Sequence, residues 1–123
     1  MIKILKLGDI IYENFEPKTI TPSEYDENGM PTKFEEKWII PTDLDTLKSA
    51  FIDTVKWQAN IKLKETDWTI VKCNELGLSI QEKYPQIYQL RNNIRNWSNE
   101  KEQEINSATT LEELLNIDIK IPF

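Results

Sequence analysis

Arg91 and Arg95 sit one helical turn apart, and two guanidinium groups at that spacing suit bidentate capture of carboxylates. The carboxylates could belong to a partner or to this chain's own acids, which outnumber its bases enough to leave a net charge of -6. The other reactive side chains are poorly placed for catalysis. Cys73 is the single cysteine and has only Lys72 as a basic neighbour, so nothing activates it as a nucleophile. Ser23, Ser49 and Ser79 have no base to activate them, because the chain contains no histidine. Asp26-Glu27-Asn28-Gly29 lacks the alternating ligands and terminal glutamate of a calcium loop and reads as a turn. Glu100, Glu102 and Glu104 are spaced by two, which scatters them around a helix rather than pairing them across a substrate. No glycine-rich phosphate loop can be built from three scattered glycines. The residues therefore predict no catalytic, cofactor or metal site, and binding is the chemistry that remains.

Charge narrows the choice of partner. A net acidic chain with scattered lysines is repelled by nucleic-acid phosphates and by anionic membrane surfaces. No segment is long and apolar enough to span a bilayer, and "MIKILKLGDI" is too broken by Lys3, Lys6 and Asp9 to be a signal sequence. One cysteine excludes a disulfide scaffold. The expectation is a soluble protein made in a reducing compartment.

The elements that would position a binding surface follow from periodicity and punctuation. We expect an α+β protein, mainly α. Residues 1–41 form an N-terminal extended module, 42–106 a helical hairpin, and 107–123 a short helix with a terminal strand or tail. In the first module Ile2, Lys3, Ile4, Leu5 and Leu7 alternate around lysines, and Gly8-Asp9 reads as a turn. Asn28-Gly29 lies between two half-apolar runs and predicts a β-hairpin. Its second arm comprises Phe34, Lys37, Trp38, Ile39 and Ile40, and Pro17, Pro22 and Pro31 keep the first arm short or at a sheet edge. The module is either a weak core or a docking arm.

Thr42-x-x-Asp45 predicts a helix start, and Leu44, Leu47, Phe51 and Val55 make its apolar stripe, which continues to about Lys64. A second helix begins near Ser79-x-x-Glu82 and either restarts or kinks at Pro85. Ile87, Leu90, Ile94 and Trp97 carry its stripe, which fails at Lys101 and leaves "SNEKEQE" as a solvated extension. Thr109-x-x-Glu112 caps a third, short helix bearing Leu111, Leu114 and Leu115. "IDIKIPF" alternates at period two and adds a strand or lies across a groove. Two narrow amphipathic helices must cover one another as an antiparallel pair. Trp68, where the first helix runs out, is expected to plug the end of that pair, with Ile70, Val71, Leu76 and Leu78 lining the connection. An aromatic ligand platform is the functional alternative for the indole.

A resemblance adds to this reading. Leu63 precedes Thr66-Asp67-Trp68, Leu78-Ser79 opens the next helix, and Arg91, Ile94 and Arg95 lie on it. In this order, residues 59–97 resemble the small phage tail-assembly chaperone and tail-fibre-assembly domain. The chain departs from that pattern at Ala59, where the family has arginine, at Lys62, where it has leucine, and at Leu90, where a tyrosine precedes the arginine. The second helix needs about one extra residue to align. Upstream, "FEEKWIIPTDLDTL" is similar to a run in small proteins encoded beside tail-fibre genes in defective prophages. Together the two stretches span roughly residues 34–97. The resemblance implies a non-enzymatic tail protein without cofactor that binds a tail fibre or another tail protein during assembly in the host bacterial cytoplasm. A permanent subunit of the virion tail is the alternative it leaves open, and homo-oligomerisation is a further possibility. Partner contacts are expected at strand edges and apolar side chains, namely Trp38, Ile39, Ile119, Ile121 and Phe123, together with Arg91.

Overall fold

A computed structural model of the chain describes residues 4–123, so Ile2 and Lys3 of the first expected strand lie outside the described residues. The fold is α+β and mainly helical. Two antiparallel hairpins come first, β1 (Ile4–Leu7) with β2 (Ile10–Glu13), then β3 (Lys18–Tyr25) with β4 (Pro31–Trp38). Helices α1 (Leu44–Lys64), α2 (Asp67–Leu76), α3 (Ile80–Lys83), α4 (Pro85–Ser107) and α5 (Leu111–Leu115) follow. Gly8 and Gly29 take positive φ angles of 60° and 79°, the backbone state that tight hairpin turns demand and that glycine adopts without steric cost. In the second turn the Asp26 carboxylate accepts from the backbone N–H groups of Asn28 and Met30, both at 2.9 Å, which locks the Asx geometry.

The body is built on α1 and α4, which run antiparallel. Lys48 near the start of α1 donates to the Asn106 carbonyl near the end of α4, and Leu63 at the end of α1 meets Arg91 near the start of α4. Leu47, Phe51 and Val55 of α1 are fully buried against a core that includes Ile94, Trp97 and Ile105 of α4. The α4 stripe thus resumes beyond Lys101, because Ile105 returns to the same face two turns after Trp97. Pro85 is the first residue of α4, so the helix starts afresh there and the missing N–H costs nothing.

The β1–β2 hairpin belongs to this body. Leu5 is fully buried, and the Lys6 N–H donates to Thr54 Oγ1 at 2.8 Å, so α1 satisfies an amide of β1. The C-terminal segment also packs inward, without forming a strand. Gln58 Nε2 donates to the Ile119 carbonyl at 2.7 Å, while Gln58 Oε1 accepts from the Ile121 N–H at 2.9 Å. The period-two segment thus finds its ladder partner in one side-chain amide and lies across α1, with Ile119 buried.

Two helix starts fall one residue later than their spacing suggests, and a third falls in place without its cap bond. Asp43, not Thr42, caps α1, accepting from the Thr46 N–H and Oγ1. Thr110, not Thr109, caps α5, while Glu113 accepts from the Thr109 N–H and Oγ1. Ser79 is the N-cap residue of the single-turn α3, as its spacing suggests, but makes no side-chain cap bond.

The connection between α1 and α4 is itself helical, and this overturns the indole plug. Helix α2 follows α1 after a two-residue break and turns Thr69 and Cys73 inward, one helical turn apart. Trp68 precedes Thr69 and is rotated about 100° away from that face. Trp68 is 52% exposed, and its ring stands in a T-shaped arrangement with Tyr84, centroids 5.4 Å apart. Val71, Leu76 and Leu78 are exposed with it.

Candidate functional site

The polar residues singled out from sequence converge on a structural joint. Arg91 Nη1 donates to the Leu63 carbonyl at 2.8 Å, to Thr66 Oγ1 at 2.8 Å and to Asp67 Oδ1 at 3.0 Å. One guanidinium therefore satisfies a last-turn carbonyl of α1, the hydroxyl at the head of α2 and an α2 carboxylate, tying the α1–α2 corner to α4. Arg91 is 6% exposed and is spent on this joint rather than presented to a partner. Asp67 serves the arginine. Ile94 packs in the core. Arg95 is exposed beside a cleft of about 260 Å³ between α1 and α4, lined also by Lys56, Asn60 and Asn99. Leu63, Asp67 and Arg91 are brought together at the helix ends, whereas Trp68, Leu78 and Ser79 lie on the outside. Cys73 is a buried free thiol.

Of the expected partner contacts, Ile119 is buried, and Ile39 and Ile121 are half-buried. Phe123 remains exposed, and Trp38 lies half-buried at the root of the second hairpin. That hairpin meets the body at its root, where Trp38 packs against the core, and is otherwise exposed. Every residue of β3 is exposed, as is every residue of β4 except Trp38. Neither strand packs extensively on any element but the other. Ile40 is buried just past its root, so the chain leaves and re-enters the body beside the core.

The register explains what the arm displays. Lys18 lies opposite Trp38, Ile20 opposite Glu36 and Pro22 opposite Phe34, which puts these six side chains on one face. On that face Lys18 Nζ sits 4.4 Å from the Trp38 ring centroid and 3.4 Å from Glu36 Oε2. Farther out, Ile20 is 66% and Phe34 61% exposed. Tyr25 and Met30 are exposed at the tip. At the root the same face borders α5 across a groove of about 740 Å³. Its apolar lining is Pro17, Ile20, Trp38, Leu111 and Leu115, and its rim is Glu16, Lys18, Glu36, Glu112 and Asn116. Apolar walls with a charged rim are the make-up of a protein-binding surface.

Sequence reasoning found Trp38 and missed Ile20, Phe34, Leu111 and Leu115. The signal was present: once Asn28-Gly29 fixes the hairpin, i, i+2 counting puts Ile20, Pro22, Phe34 and Trp38 together. Among the described residues no group of three or more Cys, Asp or Glu is arranged to hold a metal ion, and no helix is long and apolar enough to cross a membrane. Comparison with protein-family models, with curated proteins and with solved structures yields no match in any of the three.

Proposed function

We propose that this chain works by binding other proteins, as a non-enzymatic assembly factor that holds a phage or prophage tail fibre, or another tail component, while it matures in the host cytoplasm. The observation that carries the binding role is the β3–β4 arm, where Ile20, Tyr25 and Phe34 stay exposed beyond the half-buried Trp38 at its root. A lone two-stranded hairpin is marginal in water, so an arm of this kind gains from a partner laid against it. The tail assignment rests on the resemblance over residues 34–97.

In this reading the α1–α4 body is a rigid support. An apolar segment of the partner lies along Ile20, Phe34 and Trp38 and ends in the groove against Leu111 and Leu115. Co-expression with the tail-fibre protein, followed by pull-down, tests it. Wild-type chain is expected to capture the fibre protein, and Phe34→Ser with Ile20→Ser to lose it while the helical circular dichroism stays intact. Trimeric fibre that forms equally well without the chain would rule out the assembly role. Stoichiometric amounts in purified particles would instead make it a permanent tail subunit.

A further inference from the structure

The two edges of the arm are not equivalent. The Ile39 N–H donates to the Pro17 carbonyl at 3.0 Å, which makes Pro17 and Ile39 a hydrogen-bonded pair. Such pairs alternate along an antiparallel ladder. Thr19 with Lys37 and Thr21 with Glu35 therefore point their backbone groups inward, and Thr19 Oγ1 indeed reaches the Lys37 carbonyl. The groups of Lys18, Ile20 and Pro22 on β3, and of Phe34, Glu36 and Trp38 on β4, point outward. Proline has no N–H, so Pro22 interrupts the β3 edge, and the register slips just beyond it. The β4 edge has no such gap from Phe34 to Trp38. No turn, loop or tertiary backbone bond engages these three residues among the described residues.

We propose that two copies of this chain associate through the β4 edge, antiparallel and centred on Glu36. This register places Phe34 opposite Trp38 of the second copy, Glu36 opposite Glu36, and Glu35 opposite Lys37. Phe34 with Trp38, and Glu36 with its own mate, fall at positions where opposed residues exchange both backbone hydrogen bonds. Aromatic side chains thereby meet on the apolar face. On the other face Glu35 and Lys37 meet twice, at the closely spaced positions where cross-strand ion pairs form best. The one like-charge pair, Glu36 on the axis, is offset because each carboxylate already has Lys18 at 3.4 Å.

Other registers fit worse. Centring on Glu35 opposes Lys33 to Lys37 and Glu35 to itself. Centring on Lys37 opposes Lys37 to itself and Glu36 to Trp38. Centring on Phe34 runs the second copy over Pro31 and Thr32, where the β3–β4 ladder is itself irregular. In the chosen register Met30 at the tip reaches the level of Thr42 of the second copy, where that copy's helical body begins. The result is a four-stranded sheet whose apolar face is continuous across the axis. This proposal uses an edge of the arm and does not depend on what lies against its face.

Sedimentation velocity over a concentration series, with Lys37→Glu and Glu35→Lys, tests it. Both positions are exposed, so the variants keep the fold, which circular dichroism checks. An edge contact is small, so the wild-type dimer is expected in the micromolar range or weaker. Each single reversal turns two attractions into two repulsions and is expected to weaken dimers by about 10- to 30-fold. An equimolar mixture of the two variants pairs Glu with Lys again at both places and is expected to recover wild-type affinity. Glu36→Gln removes the axial repulsion and is expected to tighten the dimer about threefold. Wild-type chain that stays single at millimolar concentration overturns the proposal. So does Lys37→Glu dimerising as tightly as wild type, or a mixture no tighter than either variant alone.

Discussion

Helix α1 and the β3–β4 arm are segments of similar size and similarly mixed composition, yet they do opposite things with their apolar residues. Helix α1 repeats Leu47, Phe51 and Val55 on one face and buries all three between α4 and β1. The arm alternates Ile20, Pro22, Phe34 and Trp38 on one face of its sheet and leaves most of that face in solvent. Burial of a large apolar side chain is worth about 1.5–3 kcal/mol, so the body has collected this term and the arm has not. The difference teaches where to look for function. The residues that stabilise this protein and those that are free to bind are almost separate sets.

Substitutions can break or sharpen that contrast. The largest effect is expected in the core, where Phe51→Ala removes a fully buried ring and should cost ~3–5 kcal/mol in denaturant unfolding. Arg91→Met comes next at ~1–3 kcal/mol, because Leu63 and Thr66 lose their donor. Asp67 adds little to that loss, being more than half exposed. Gln58→Leu should cost ~1–2 kcal/mol by stripping partners from Ile119 and Ile121. Its signature is faster amide exchange confined to residues 117–123. On the arm, Phe34→Ser should change stability by no more than ~0.5 kcal/mol while abolishing partner capture.

The smallest effect is in acid. The Thr46 hydroxyl, and then its N–H, hold the Asp43 carboxyl below the usual range, and the Thr109 N–H and hydroxyl do the same for Glu113. A lowered folded-state pKa means that these caps contribute fully above the ordinary carboxylate pKa and are lost as pH falls through the depressed value. Both groups are on the surface, so the effect is a slight fall in thermal midpoint below about pH 4. Asp43→Asn should flatten the α1 part of it.

Much of the architecture was legible in the residues, and the failures have identifiable causes. Both hairpin turns could be read because glycine at positive φ leaves a local mark that tertiary structure rarely overrides. The α1 and α4 stripes could be read because large apolar residues recur at helical spacing. The caps of α1 and α5 slipped by one residue because Thr42 stands beside Asp43 and Thr109 beside Thr110. Either neighbour can cap, and only the packed helix decides. Helix α2 defeated the hydropathy reading more thoroughly. Its buried positions are Thr69 and Cys73, whereas Trp68, Val71 and Leu76 face outward, so the apolar residues pointed to the wrong side. Arg91 was legible as a carboxylate binder with this chain's own acids among its candidates, but not that Asp67 would be the acid. The groove was hidden because Leu111 and Leu115 approach Ile20 and Trp38 only in three dimensions.

The central claim is that the arm is energetically separate from the body. Amide hydrogen exchange on the free chain, dilute enough for single copies, tests it most directly. Inward-pointing amides of Thr19, Thr21, Glu35 and Lys37 are expected to exchange orders of magnitude faster than those of Phe51, Val55 and Ile94. Arm and core amides slowing together, at the free energy of global unfolding, would contradict the account.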